Sequence, residues 1–126
     1  MNQVMLVGRI AHDLVLRTTT TGKSVLSFSL AVPQAFSADD KADFLPCVIW
    51  NQGAENMMKH CEKGMLVGVT GRLQRRMYES ENMKNYIVEV IVSDIRFYAK
   101  AQKKPVQEPF FMKPDIQQPI MPREGG

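Results

Sequence analysis

Apolar and polar residues alternate along most of the first hundred positions, in segments rich in Val, Ile, Phe and Thr that turn residues separate. Alternation with a period of two is typical of β-strands with one buried face. The pattern predicts five strands, over residues 2–10, 25–32, 43–51, 65–78 and 85–98. The first strand is expected to continue past a kink over 15–20, and residues 21–23 supply a hairpin turn.

One segment follows a different period and predicts a helix over residues 54–61. Its apolar residues recur at helical spacing, at Ala54, Met57, Met58 and Cys61. Lys63 and Gly64 follow as a basic last turn and a C-terminal cap. A single helix between the third and fourth of five curved strands predicts an all-β OB-fold, a five-stranded Greek-key barrel, in which Gly8, Gly68 and Gly71 permit the curvature.

The composition changes near residue 100. Five of the seven prolines lie beyond it, among Gln and Lys, and this mixture opposes regular helix or sheet. The sequence therefore predicts an OB-fold domain over residues 1–99 and a flexible C-terminal tail over residues 100–126.

Composition excludes several classes of protein. With 44% hydrophobic and 23% charged residues the chain is expected to fold, and it has neither a run long enough to span a membrane nor a signal peptide pattern. A cytoplasmic location follows, in which Cys47 and Cys61 are expected to be reduced and buried. The net charge of +3 is a weak indication of an anionic partner.

The sequence contains no enzyme, metal or cofactor signature. Gly22-Lys23-Ser24 resembles the end of a phosphate-binding loop, but Arg17 stands where that motif requires glycine. The cysteines and histidines lack zinc-ligand spacing. Neither His12 nor His60 has a sequence-local acid or nucleophile partner of the kind that acyl-transfer catalysis uses. We therefore expect a protein that is not an enzyme and holds no metal or cofactor.

Aromatic and basic residues on the strands are the remaining candidates for function. Alternation places Phe44 and Trp50 on one face of the third strand, and Arg72, Arg76 and Tyr78 on one face of the fourth. Flat bases and a negative backbone make single-stranded nucleic acid a fitting ligand for such a surface. The pattern leaves a second interpretation equally open, in which the aromatics belong to the core and the arginines only solvate an exposed face.

Several separated motifs resemble the bacterial single-stranded DNA-binding protein family, over about residues 1–98. Residues 1–10 are similar to the family's first strand, and residues 13–17 to the D-x-x-x-R stretch that follows it. Further matches lie at 22–23, 28–32, Trp50, 54–56, 63–64, 68–74, Tyr86 and 89–90. So many matches in the right order are not expected by chance.

The resemblance implies OB-fold protomers that assemble as a homotetramer and bind single-stranded DNA without sequence preference. It implies base stacking on Phe36, Phe44, Trp50 and Tyr78, and phosphate contacts from Lys63, Arg72, Arg76, Arg9, Arg17 and Arg75. Such a protein coats and protects exposed strands during DNA replication, recombination, repair or DNA uptake, in the cytoplasm at the nucleoid.

The tail departs from the family's pattern. Typical members end in an acidic tip that recruits replication and repair enzymes, whereas this tail is basic and ends in Pro-Arg-Glu-Gly-Gly. The sequence is similar to short forms associated with competence and transformation or carried by phages and mobile elements, so we do not expect recruitment through an acidic tip. Other contacts with replication or recombination proteins stay open, including docking through Phe110 and Phe111.

Two alternative functions are a primosome-type assembly protein that acts through protein contacts, and an RNA-binding OB module.

Overall fold

The computed structural model of the chain describes residues 1–36, 39 and 41–100. In this part the elements are β1 (Val4–Ile10), β2 (Arg17–Thr18), β3 (Ser24–Pro33), β4 (Ala42–Trp50), α1 (Asn51–His60), β5 (Leu66–Ser80) and β6 (Met83–Ala99). No helix among these elements has the length and apolar character needed to cross a membrane. The predicted tail, Phe110 and Phe111 included, lies outside the described residues apart from Lys100, so the predicted domain boundary stays a prediction.

Five strands close into a barrel, as the sequence predicts for an OB-fold. They neighbour one another in the order β1-β5-β6-β4-β3, and pairing between β1 and β3 closes the ring. All pairings are antiparallel except that of β4 with β6. The helix follows β4 and precedes β5, which are the third and fourth strands of the barrel in chain order.

The segment between β1 and β3 differs from the prediction. Instead of a first strand that continues over 15–20, only the two residues of β2 form a strand there, and they pair with the edge of β3. Past the end of β1, the Ser29 amide of β3 bonds to a side chain instead of to a strand: it donates to Nε2 of His12 at 3.0 Å, and Nδ1 of His12 lies 2.9 Å from the Asp13 carbonyl oxygen. The predicted hairpin turn follows β2, with Gly22 at a φ of 89° that favours glycine.

Two glycines allow the barrel to close tightly. A Cβ atom at Gly8 would collide with the carbonyl oxygen of Ala31, where β1 meets β3. A Cβ at Gly71 would collide in the same way with the carbonyl oxygen of Ile91, at an irregularity in the β5–β6 register. These close approaches are the reason that the strands need glycine there.

The core fills the barrel interior and lies under the helix. Its most deeply buried side chains are Ile10, Leu26, Leu30, Cys47, Met57, Val67 and Val69.

The burial expected for Cys47 and Cys61 is confirmed. Burial raises the pKa of the Cys47 thiol to about 12, with a smaller contribution from the negative charge of Glu89, and burial alone raises the pKa of Cys61 to about 11.

Candidate nucleic-acid interface

Cross-strand register brings Trp50 and Arg72 to the same outer face of the barrel. Residues paired across neighbouring strands point to the same side of a sheet. Val48 of β4 pairs with Ile91 of β6, and Ile91 pairs with Arg72 of β5. Trp50 lies two residues after Val48 and therefore shares this face. The alternation that placed these residues on one face of each strand is thus matched by the pairing between strands.

A hollow of about 320 Å³ lies between Trp50 and the arginines of β5. It is lined by Val25, Ser27, Val48, Trp50, Arg72, Gln74, Arg76, Glu89 and Ile91. Trp50 is 40% exposed and Phe44 is 65% exposed. Neither ring belongs to the buried core, so the interpretation that assigned both aromatics to the core is wrong for this chain.

Two further hollows extend the first one in both directions. One, of about 340 Å³, shares Trp50 and is lined also by Thr19, Thr21, Lys23 and Asn51. The other, of about 510 Å³, shares Arg72 and Ile91 and reaches the first three residues of the chain. Neighbouring hollows share lining residues, and we call the three together the Trp50 groove.

Lys23 is a lining residue that the sequence-based assignment of phosphate contacts missed. Its position follows from the β2–β3 hairpin, in which Arg17 pairs with Val25 and Val25 pairs with Trp50. The same pairing puts Arg17 on the face of Trp50. The turn that carries Lys23 therefore lies beside the indole ring.

The other predicted stacking residues lie apart from Trp50. Phe44 shares its face of β4 but is six residues away, about 20 Å along an extended strand. Tyr78 shares the face of Arg76, farther out on the β5–β6 hairpin. Phe36 is fully exposed in the connection between β3 and β4, at a φ of 64°. None of these three lines any of the three hollows.

Arg72 and Arg76 point along the same groove but have different partners. The Nη1 of Arg72 donates a hydrogen bond of 2.8 Å to the side-chain oxygen of Gln74, and among the described residues Arg72 forms no ion pair. Arg76 instead forms a bidentate pair with Glu89, at 3.0 Å from Nε to Oε1 and 3.1 Å from Nη2 to Oε2. The hydrogen bond and the charge of Glu89 raise the pKa of Arg76.

Three predicted phosphate contacts lie outside the groove. Arg9 donates from Nη1 to the Gly64 carbonyl oxygen at 2.9 Å, so Arg9 and the adjacent Lys63 lie at the corner between α1 and β5. Arg75 points to the other face of the β5–β6 hairpin, where its guanidinium carbon lies 4.3 Å from the centre of the Tyr86 ring. The structure therefore groups Arg17, Arg72 and Arg76 with Trp50 and separates the other three.

Among the described residues, no three His, Cys, Asp or Glu side chains come together as a possible metal site. The groove instead presents an indole ring, apolar side chains, hydroxyl and amide groups, and cationic side chains. Such a lining can stack on flat rings and attract phosphates, which are the two demands of a single-stranded nucleic acid.

Comparisons with known proteins agree with this chemistry. Residues 1–98 match the model of the "Single-strand binding protein family". Over 100 residues the chain is 46% identical to "Single-stranded DNA-binding protein B" of Bacillus subtilis, which covers 76% of this chain and 88% of that protein. It is also 46% identical over 101 residues to the "Single-stranded DNA-binding protein" of Bacillus cereus, but the match covers 77% of this chain and only 59% of that longer relative.

Proposed function

The chain belongs to the single-strand binding protein family, and from this premise we propose that it binds single-stranded DNA, without sequence preference, in the Trp50 groove. The observation that carries the proposal is the exposed ring of Trp50 between two hollows that also hold Lys23 and Arg72. A base stacked on the indole would leave its neighbouring phosphates within the field of these cations. Because every base has a flat face, such binding tolerates any sequence.

The remaining aromatics extend the proposed path of the strand. About 20 Å separates Phe44 from Trp50 along β4, a span that several nucleotides would cover. Tyr78 and the exposed Phe36 would stack on bases that leave the groove along the β5–β6 hairpin and the β3–β4 connection. Lys63, Arg9 and Arg75 would then contact phosphates only on a DNA long enough to continue around the barrel.

The proposed role is to coat and protect exposed strands during replication, recombination, repair or DNA uptake. Binding alone accounts for this role, so the proposal includes no catalysis and no cofactor. With DNA as its ligand, the protein would act in the cytoplasm, at the nucleoid. Contacts with replication and recombination proteins belong to the same proposal.

We further propose that the protein acts as a homotetramer, as the family resemblance implies. Exposed apolar side chains on two surfaces support self-association: Met5 and Val7 on β1, and Leu73 and Met77 on the side of the β5–β6 hairpin away from Arg76. Surfaces of this kind are typical of protein contacts. Light scattering at two concentrations tests the proposal, which predicts four times the mass of the chain and is contradicted by a monomer at both.

Titration with oligo-dT tests the proposed site, because Trp50 is the chain's single tryptophan. Stacking in the groove predicts strong quenching of its emission that persists at high salt. Binding that leaves the emission unchanged would contradict stacking at Trp50, and the absence of binding would favour the protein-assembly alternative.

Competition with an RNA oligomer of matched sequence distinguishes the RNA-binding alternative, which predicts that RNA displaces the DNA.

Phe44→Leu provides a second test that leaves the fluorophore in place. Leucine keeps much of the apolar volume but removes the ring, so stacking predicts weaker binding of the oligomer. Phe97→Leu is the matched control, since Phe97 is also an exposed aromatic on a strand but contacts His60 outside the groove. Equal affinity of the two variants would contradict a role for Phe44.

A further inference from the structure

Glu89 is the one charged side chain that is buried in the described part of the chain, with 7% of its surface exposed. It nevertheless lines the central hollow of the Trp50 groove, beside its cross-strand partner Gln74. A carboxylate is unexpected at the floor of a surface that attracts phosphates, because a negative charge repels them.

The carboxylate is fully engaged by Arg76. Both of its oxygens accept hydrogen bonds from the guanidinium, in the planar bidentate arrangement that is strongest for this pair. The Arg76 side chain is 52% exposed, whereas that of Glu89 is 8% exposed. The arginine therefore faces the groove while the carboxylate neutralises it from below.

Burial makes this pair difficult to break. If Arg76 turned away to contact a phosphate, Glu89 would remain as an uncompensated buried charge, which is strongly unfavourable. The ion pair is therefore expected to persist when DNA is bound. Arg76 then offers its free N–H groups to a phosphate but contributes no net charge.

This reasoning rests on the proposed function, since it assumes that DNA occupies the Trp50 groove. We propose that Glu89 limits the affinity of the groove for single-stranded DNA by neutralising Arg76. It makes binding weaker, and less dependent on salt, than the number of groove arginines would suggest. Glu89 is thus a positioning residue that acts through Arg76.

Glu89→Gln tests the proposal, because glutamine keeps the size and one acceptor but removes the charge. Each phosphate neutralised on a single strand contributes about 0.7 to the slope of log K against log salt. We expect the slope to steepen by about 0.7 and the Kd at about 0.1 M salt to tighten about fivefold, with the difference vanishing near 1 M. A merely structural role for Glu89 would not steepen the slope.

Asp94→Asn is the matched control. It also removes one carboxylate that is paired with an arginine, Arg96, at 3.3 Å, but this pair is exposed and lines none of the three hollows. We expect the slope of this variant to equal that of the unmodified protein. An equal steepening in both variants would show an effect of net charge alone and overturn the proposal.

The double variant Arg76→Gln with Glu89→Gln keeps the proposal falsifiable should the single variant fold poorly. Because the pair is neutral, removing both charges should leave the slope unchanged, whereas a fall of about 0.7 would show that Arg76 acts as a full phosphate contact.

Oligo-dT quenching of Trp50 in the unmodified protein is measured alongside. If that quenching is absent, the proposed site fails; if it is present and the slopes are not as expected, only the role of Glu89 fails.

Discussion

Trp50 combines an exposed ring with a position at the start of α1. Its extended backbone precedes the helix, but its side chain makes no capping hydrogen bond. Replacing the ring therefore removes no hydrogen bond on which the helix depends. This separation of roles makes Trp50 suitable for substitution.

We predict that Trp50→Ala weakens binding of labelled oligo-dT about five- to 150-fold, because stacking contributes roughly 1–3 kcal/mol per base. Trp50→Phe keeps an aromatic ring and should lose less. Fluorescence anisotropy of the labelled oligonucleotide measures both Kd values, and thermal melting confirms that each variant folds. An unchanged Kd in Trp50→Ala would contradict stacking on this ring.

The buried thiols give a prediction about pH. The pKa values of about 12 for Cys47 and about 11 for Cys61 keep both protonated at about pH 8, where an exposed cysteine is partly thiolate. We expect both to resist iodoacetamide at that pH, with alkylation increasing as the pH rises and Cys61 reacting first. Mass spectrometry measures the adducts, and guanidinium-unfolded protein is the control in which both must react.

The same pKa shifts affect stability. A thiol whose pKa is raised by folding stays protonated in the folded state while the unfolded state loses its proton. The stability that each thiol contributes is therefore present below about pH 8.5, the ordinary cysteine pKa, and is lost as the pH rises through the folded value. Rapid alkylation of the folded protein at about pH 8 would contradict the burial on which both statements rest.

Individual strands can be interpreted from sequence more easily than contacts between strands. Alternation was sufficient to place Trp50 with Phe44, and Arg72 with Arg76, because the period of two is local. It could not identify Lys23 as a neighbour of Trp50, or Glu89 as the partner of Arg76. Those contacts depend on the register between strands, which the alternation within one strand does not contain.

The close approach of β1 to β3 closes the barrel. We predict that Gly8→Ala destabilises the protein by about 3 kcal/mol or more, because the added methyl group meets a backbone carbonyl of β3 that cannot move without opening the pairing. Urea unfolding measures the loss. Failure of the variant to fold would agree with the prediction, and an unchanged midpoint would contradict it.

Gly53→Ala is the control for this prediction. A Cβ at Gly53 would lie 2.9 Å from Cδ1 and 3.0 Å from Cγ1 of Ile49, which are side-chain atoms and not backbone atoms. Alanine also favours the helix by about 0.5–1 kcal/mol relative to glycine. We therefore expect a small change of either sign, which isolates the backbone collision as the cause of the loss at Gly8.

The boundaries of the elements show which sequence signals are incomplete. The helix begins at Asn51, three residues before the predicted start, because Asn51 adopts a φ of 58° that turns the chain directly from β4 into α1. Apolar spacing detects only the buried part of a helix, here Ala54 and Met57.

In the outer half of the β5–β6 hairpin, apolar alternation does not indicate burial in the core. Leu73 and Met77 continue the alternation beyond the core and are exposed.

The chain's net charge is only +3, but its cationic side chains are unevenly distributed over the barrel. Arg17, Lys23 and Arg72 lie on the Trp50 face, and among the described residues none of them forms an ion pair. The charge of Arg76 is neutralised there, while Lys63, Arg9 and Arg75 lie elsewhere on the barrel. The Trp50 face of one protomer therefore offers three uncompensated cations to a short DNA.

This count predicts the salt dependence of binding. For oligo-dT of about eight nucleotides, within the range that one OB-fold accommodates, we expect a slope of log K against log salt of about −2, since three contacts contribute about 0.7 each. Binding that remains at about 1 M salt would come from stacking.

Arg72→Gln should reduce the slope to about −1.4, whereas Lys63→Gln should not change it, because Lys63 lies outside the groove. If Lys63→Gln reduced the slope for this short oligomer and Arg72→Gln did not, the strand would follow the α1–β5 corner instead, and the Trp50 groove would not be its path.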